Sequence, residues 1–141
     1  MQRVTKSVLV PYPAARMFEL VDRVEEYPQF LPWCGGAKVV EQSGDHKTVR
    51  IDIDYHGVRV HFTTDNVHRA NESIAIALRD GPFRQLHGEW RFAGLAPDSC
   101  KVSLELAYEF MRPLDLVVGP VFGRIANTLI DSFVRRADAL Y

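Results

Sequence analysis

Tyr27-Pro28-Gln29-Phe30-Leu31-Pro32-Trp33-Cys34 is the stretch on which the reading of this chain turns. Pro28 and Pro32 lack amide donors and fix φ, and Tyr27 and Leu31, each preceding a proline, are pushed away from the α region. At most one helical turn fits here, and a central strand is excluded. A stiff connector this rich in aromatic and aliphatic surface must bury it, either by capping a core or by lining the mouth of an apolar pocket.

Before the connector, Arg3 to Val10 has a strand-like pattern. A helix is expected from Pro13 to Val21, with Ala14, Met17, Phe18 and Val21 at i, i+3, i+4, i+7 spacing and Pro13 at its first position. Beyond the connector the period changes to two. After a strand near residues 37–41, Val49, Ile51, Ile53 and Tyr55 alternate with Arg50, Asp52 and Asp54, and His56-Gly57 reads as a hairpin turn. Val58, Val60 and Phe62 then alternate with Arg59, His61 and Thr63. Ile74, Ile76 and Leu78 follow, then Leu86, Gly88, Trp90 and Phe92. After the Ala96-Pro97-Asp98-Ser99 turn come Val102, Leu104, Leu106, Tyr108 and Phe110, making about seven strands in all.

The C-terminal stretch changes period again. Phe122, Ile125, Ala126, Leu129, Phe133, Ala137 and Leu140 share one face of a long amphipathic helix, and Arg124, Asn127, Thr128, Asp131, Arg135 and Asp138 share the other. Pro120 would cost about 3 kcal/mol in a helix interior and is therefore expected in the first turn, or at a kink after a short turn over 114–118. Asp131 and Arg135 stand at i, i+4 spacing, which suits an ion pair.

Composition narrows the function. The chain has 141 residues, 47% hydrophobic and 25% charged, which suits one domain spanning 1–141. Its apolar runs are far shorter than the roughly 20 residues that span a bilayer, and the N-terminus resembles neither a signal nor a transit peptide. Cytoplasmic residence is the expectation. Cys34 and Cys100 suit two reduced thiols, and a net charge of −1 gives no global attraction to nucleic acid.

Strand, helix, strand series and helix, in that order, imply an α+β layer with an antiparallel sheet whose apolar face is covered by helices. Seven strands make a flat sheet about 34 Å wide, whereas one helix is about 10–12 Å across. The sheet must therefore curl around the helix, and Phe62, Trp90, Phe92 and Tyr108 either fill the enclosed space as core or line a cavity within it.

Three segments together resemble the ubiquinone-binding START-domain family: the connector, the run Asp80-Gly81-Pro82-Phe83-Arg84-Gln85-Leu86-His87-Gly88-Glu89-Trp90-Arg91-Phe92, and the ending Phe133-Val134-Arg135-Arg136-Ala137. The resemblance spans nearly the whole chain. It implies a helix-grip fold, a curved sheet wrapped around the C-terminal helix, with a hydrophobic tunnel for a polyprenyl quinone or similar lipid. The family also includes proteins called oligoketide cyclases and lipid-transport proteins, and a branch described as a ribosome-association toxin.

Catalytic groups are scarce in the sequence. His61 and His87 alternate out of phase with the apolar positions, as do Asp52 and Asp54, and all four are expected to face outward. No Gly-rich phosphate loop, Ser/His/Asp arrangement or Cys/His metal spacing is present, so neither a cofactor nor a metal is expected. The expected ligand lining is Phe30, Leu31 and Trp33 at the mouth, Phe62, Trp90 and Phe92 on the sheet, and Phe122, Ile125 and Leu129 on the helix. Tyr55, Tyr108, Trp33 and Trp90 supply donors for a quinone carbonyl. Gly119 and Gly123 permit close approach to the helix.

The leading expectation is a carrier or chaperone for ubiquinone or another polyprenyl lipid, supporting respiration, with transient membrane contact. The alternative is a toxin that docks on ribosomal subunits and blocks their joining. Ribosome docking calls for a basic stripe, whereas Arg50, Asp52, Asp54, Arg59, Glu89, Arg91 and Glu105 mix both signs on the outer face. A polyketide cyclase-like enzyme ranks third, because the inward positions lack titratable groups.

Overall fold

The computed structural model describes residues 1–141. Seven strands occupy Gln2–Val10 (β1), Cys34–Ser43 (β2), His46–Tyr55 (β3), Val58–Arg69 (β4), Ser73–Asp80 (β5), Phe83–Ala96 (β6) and Ser99–Phe110 (β7). They form one sheet in the order β1-β7-β6-β5-β4-β3-β2, antiparallel throughout. Successive strands from β2 to β7 are neighbours, and β1 closes the far side by pairing with β7. Two helices, Ala14–Asp22 (α1) and Val118–Leu140 (α2), complete the fold.

Local chemistry accounts for the turns. His56 and Gly57 both take positive φ, 50° and 78°, and Tyr55 pairs directly with Val58, as a two-residue type I′ hairpin requires. Two further tight turns are Gly44-Asp45, since Ser43 pairs with His46, and Pro97-Asp98, since Ala96 pairs with Ser99. A 3-10 helix over Val24–Gln29, with Pro28 inside it, leads into the connector. β2 begins at Cys34, immediately after the second proline, and is longer than the expected 37–41. Pro13 stands one residue before α1 rather than within it, and its carbonyl accepts from the Arg16 and Met17 amides. Pro120 falls in the first turn of α2, where its missing N–H breaks no intrahelical bond.

The sheet is strongly curved. Between β4 and β7 lie three strand spacings, about 14 Å if flat. Yet the Phe122 ring of α2 has Phe62 of β4 at 6.2 Å and Tyr108 of β7 at 4.7 Å, centre to centre. Both strands must bend toward the helix. Register shifts within β2, in the β4–β5 pairing and near both ends of β6 supply the bends. Gly88 lets β6 and β7 close up, because a Cβ there would lie 2.4 Å from the Glu105 carbonyl oxygen.

α2 fills the concave face with Phe122, Ile125, Ala126, Ile130, Phe133 and Ala137, all buried. α1 covers a different part of the same face, its Phe18 ring edge-on to Phe92 at 5.6 Å. On the convex face Arg50–Asp52, Arg59–Asp54 and Arg91–Glu89 pair opposite charges. The expected Asp131–Arg135 pair does not form: Arg135 lies instead along a groove beside the connector.

Candidate functional site

Two aromatic clusters hold α2 against the sheet. Phe122 meets Phe62, Phe83, Tyr108 and Phe110, with ring centres 4.7–6.2 Å away. Phe133 meets Tyr27 and Phe30 of the connector and Trp90 of β6, at 5.2–5.4 Å. Eleven residues of helix, about 16 Å, separate these two rings. Between them the helix presents the small Ala126 with Ile125 and Leu129, and the sheet stands off to leave a cavity of about 110 Å³.

Fifteen of the seventeen residues around this cavity are hydrophobic. They include Trp33, Phe62, Trp90, Phe122, Ile125 and Leu129, six residues the sequence reading brought together. The two exceptions are Thr64 and Asn66 of β4, 4% and 8% exposed. Thr64 Oγ1 donates to Asn66 Oδ1 at 2.8 Å, the Asn66 Nδ2 group donates to no protein acceptor, and both residues line the cavity. Sequence reasoning missed both. The alternation Val58, Val60, Phe62 continues inward to Thr64 and Asn66, and carrying it two positions further would have found them.

The other expected residues lie elsewhere. Leu31 is sealed in the core at 1% exposure, and Phe92 packs under α1. Tyr108 faces a separate polar cleft near the start of α2, with its hydroxyl 3.5 Å from the position a Cβ on Gly123 would take, whereas Gly119 faces open space. Phe30 and Tyr55 border a groove of about 450 Å³ on the outer side of α2. Trp33 and Ile125 belong to the walls of both groove and cavity, so these two side chains stand between the two spaces.

Across the groove from Phe30, Pro32 and Tyr55, α2 presents Arg124, Thr128, Ser132, Arg135 and Arg136. None of these arginines is among the chain's ion pairs. The Arg136 guanidinium sits 5.0 Å above the Phe30 ring and donates to Gln29 Oε1 at 3.0 Å, while its buried Nε has no acceptor.

Little here can move a proton. Tyr27 is the titratable residue on the cavity wall; burial holds its phenol far above the usual range, and its hydroxyl donates to the Val21 carbonyl. Burial likewise raises the Cys34 and Cys100 thiols, which are unpaired. His61 and His87 are exposed on the outer face. No group of three or more His, Cys, Asp or Glu is placed to hold a metal. The site can enclose an apolar molecule and offer it a few hydrogen bonds.

Comparison with known proteins fits this geometry. Residues 10–134 match the family described as polyketide cyclase/dehydrase and lipid transport. The chain is 40% identical to the "Ribosome association toxin RatA" of Pseudomonas aeruginosa over 98% of its own length and 96% of that protein's. It is 26% identical to the mitochondrial "Coenzyme Q-binding protein COQ10" of Dictyostelium discoideum, over 98% of this chain and 71% of that one. A solved START superfamily protein from Mycobacterium smegmatis superposes with a TM-score of 0.80 at 24% identity, covering 99% of each chain. That likeness establishes the START-type helix-grip fold.

Proposed function

Since the chain belongs to the polyketide cyclase/dehydrase and lipid transport family, we propose that it binds a hydrophobic small molecule, ubiquinone or a related polyprenyl lipid, between sheet and α2, and acts as its cytoplasmic carrier or chaperone in support of respiration. The observation that carries this reading is the interior cavity, apolar on nearly every side yet provided with one free amide donor. At about 110 Å³ it is smaller than the engineered cavity of about 150 Å³ that accepts benzene, so a substituted quinone ring enters only as wall side chains give way. An isoprenoid tail needs more space, and rotation of Trp33 or Ile125 would join the cavity to the groove outside. The joined volume enters the range of about 300–1,000 Å³ usual for ligand pockets. Tail burial then contributes about 25 cal/mol per Å² removed from water. Met111, Leu114, Leu116 and Val117 are exposed beside the start of α2 and offer an apolar tip for transient membrane contact during loading.

Both tryptophans of the chain, Trp33 and Trp90, line the cavity, which supplies the test. Titration with a decyl-chain ubiquinone should quench their fluorescence saturably at one equivalent. Quenching that rises linearly without saturation, as for free indole in solution, would remove the support for this reading.

A second reading, docking on ribosomal subunits, is favoured by the name of the Pseudomonas relative and by the groove arginines. The charges that alternate and pair on the convex face leave Arg124 and Arg135 without an ion pair on the helix, beside Arg136, which is held by Phe30 and Gln29 but has no carboxylate partner, and the three suit phosphates. Co-sedimentation with subunits that falls steeply with salt, and that is abolished by replacing all three with Ala, would place this reading first.

A further inference from the structure

We infer that Asn66, held in place by Thr64, recognises a carbonyl oxygen of the bound molecule, so that the cavity selects a carbonyl-bearing ring over a plain hydrocarbon of the same size. The inference rests on the hydrophobic-ligand reading and adds to it the chemistry of the ligand's polar group.

Inward positions on β4 pass from Phe62 to Thr64 and Asn66, and the strands on either side place Val49 and Leu78 opposite Thr64, and Ile76 and Lys47, whose ammonium is committed to Asp22, opposite Asn66. An all-apolar wall would be the cheaper solution, since an amide buried without a partner costs about 1–3 kcal/mol. Asn66 is more than nine-tenths buried, and its Nδ2 group bonds to nothing in the protein. The hydroxyl of Thr64 spends its one proton on Asn66 Oδ1. That bond occupies the carbonyl end of the side chain and leaves the NH2 end unpaired at the cavity wall, so the cavity offers a donor rather than an acceptor. Of the other wall residues, Trp33 and Trp90 carry indole N–H groups at their ring edges and the Tyr27 hydroxyl is already committed to Val21, while the rest contribute aromatic and aliphatic carbon. A quinone or aryl ketone fits this arrangement. A ligand whose polar group only donates does not.

The test compares decyl-ubiquinone with n-decylbenzene, which carries no acceptor, by equilibrium dialysis against the parent chain, Asn66→Leu and Thr64→Val. Asn66→Leu is expected to weaken quinone binding by about fivefold to tenfold, the worth of one buried hydrogen bond, while decylbenzene binding stays within about twofold. Thr64→Val, which frees the amide to rotate, should lower the quinone preference in the same direction by a smaller factor. Because Asn66→Leu also strands the buried Thr64 hydroxyl that donates to Asn66 Oδ1, affinities are compared per folded molecule and repeated in Thr64→Val/Asn66→Leu, which leaves neither group unpaired and should show the same loss of quinone preference. Equal weakening for both probes, or an unchanged ratio between them, overturns the role given to Asn66 while leaving the hydrophobic-ligand reading in place. A parent chain that binds neither probe overturns both.

Discussion

Ile125→Trp separates a hollow interior from a packed one. Ile125 is buried at 4% exposure and borders the interior cavity on one side and the outer groove on the other. Enlarging a side chain in a close-packed core costs about 1–3 kcal/mol through strained rotamers and backbone shifts. Here the added ring has empty space to enter. With a cavity term of about 24 cal/mol per Å³, filling all of the roughly 110 Å³ would return about 2.6 kcal/mol, enough to offset that strain. The expected change in unfolding free energy is therefore within about 1 kcal/mol of zero, the two terms being of similar size. Urea melts of the ligand-free protein measure it, and calorimetric titration with decyl-ubiquinone, unaffected by the new indole, should show binding abolished. Destabilisation beyond about 2 kcal/mol, or unaltered quinone affinity, would refute the reasoning.

Trp33→Ala should open the cavity to the groove and weaken quinone binding. Because Trp33 borders open space on two sides, its stability cost should be about 2–3 kcal/mol, at or under the low end for a fully packed aromatic; a larger loss in chemical melts, with affinity per folded molecule unchanged, would make it plain core. Gly88→Ala should destabilise by about 1–3 kcal/mol, since the new Cβ meets the backbone oxygen of Glu105 and not a flexible side chain; a neutral result in the same melts would show that β6 and β7 can separate freely. Burial lowers the pKa of His68 in the folded chain despite its contact with Asp22. The unfolded chain then binds the proton more readily, so this contribution to stability is complete above the ordinary value near 6.5 and is lost as pH falls below it. His68→Gln should flatten the slope of stability against pH between about 5 and 7, and a slope equal to the parent's would contradict this.

Hairpin chemistry and period-two alternation made the strand series legible in the sequence, and the width of the sheet against one helix called for its curvature. The site was only partly legible, because periodicity tells which face a residue takes but not what covers that face. Trp90 and Phe92 share a face, yet Trp90 meets Phe133 of α2 while Phe92 lies under Phe18 of α1. Leu31 follows the same logic: the connector had to bury its apolar groups, but which of them would seal the core and which border a cavity depends on the path of the chain between its two prolines. Thr64 and Asn66 read as the polar end of a strand, and only the closing curve of the sheet turns them into part of the wall of an apolar cavity. The groove arginines were hidden for a similar reason, since a polar helix face looks solvated until the connector is seen to run beside it.

Mass spectrometry of the lipid extract from protein purified out of its native host, under conditions that keep the fold, tests the central claim most directly. The account predicts one carbonyl-bearing hydrophobic molecule, a polyprenyl quinone or close relative, bound at up to one equivalent and missing from the Ile125→Trp variant. Protein that carries no such molecule, or that carries the same lipids in the same amounts after the cavity has been filled, would contradict it.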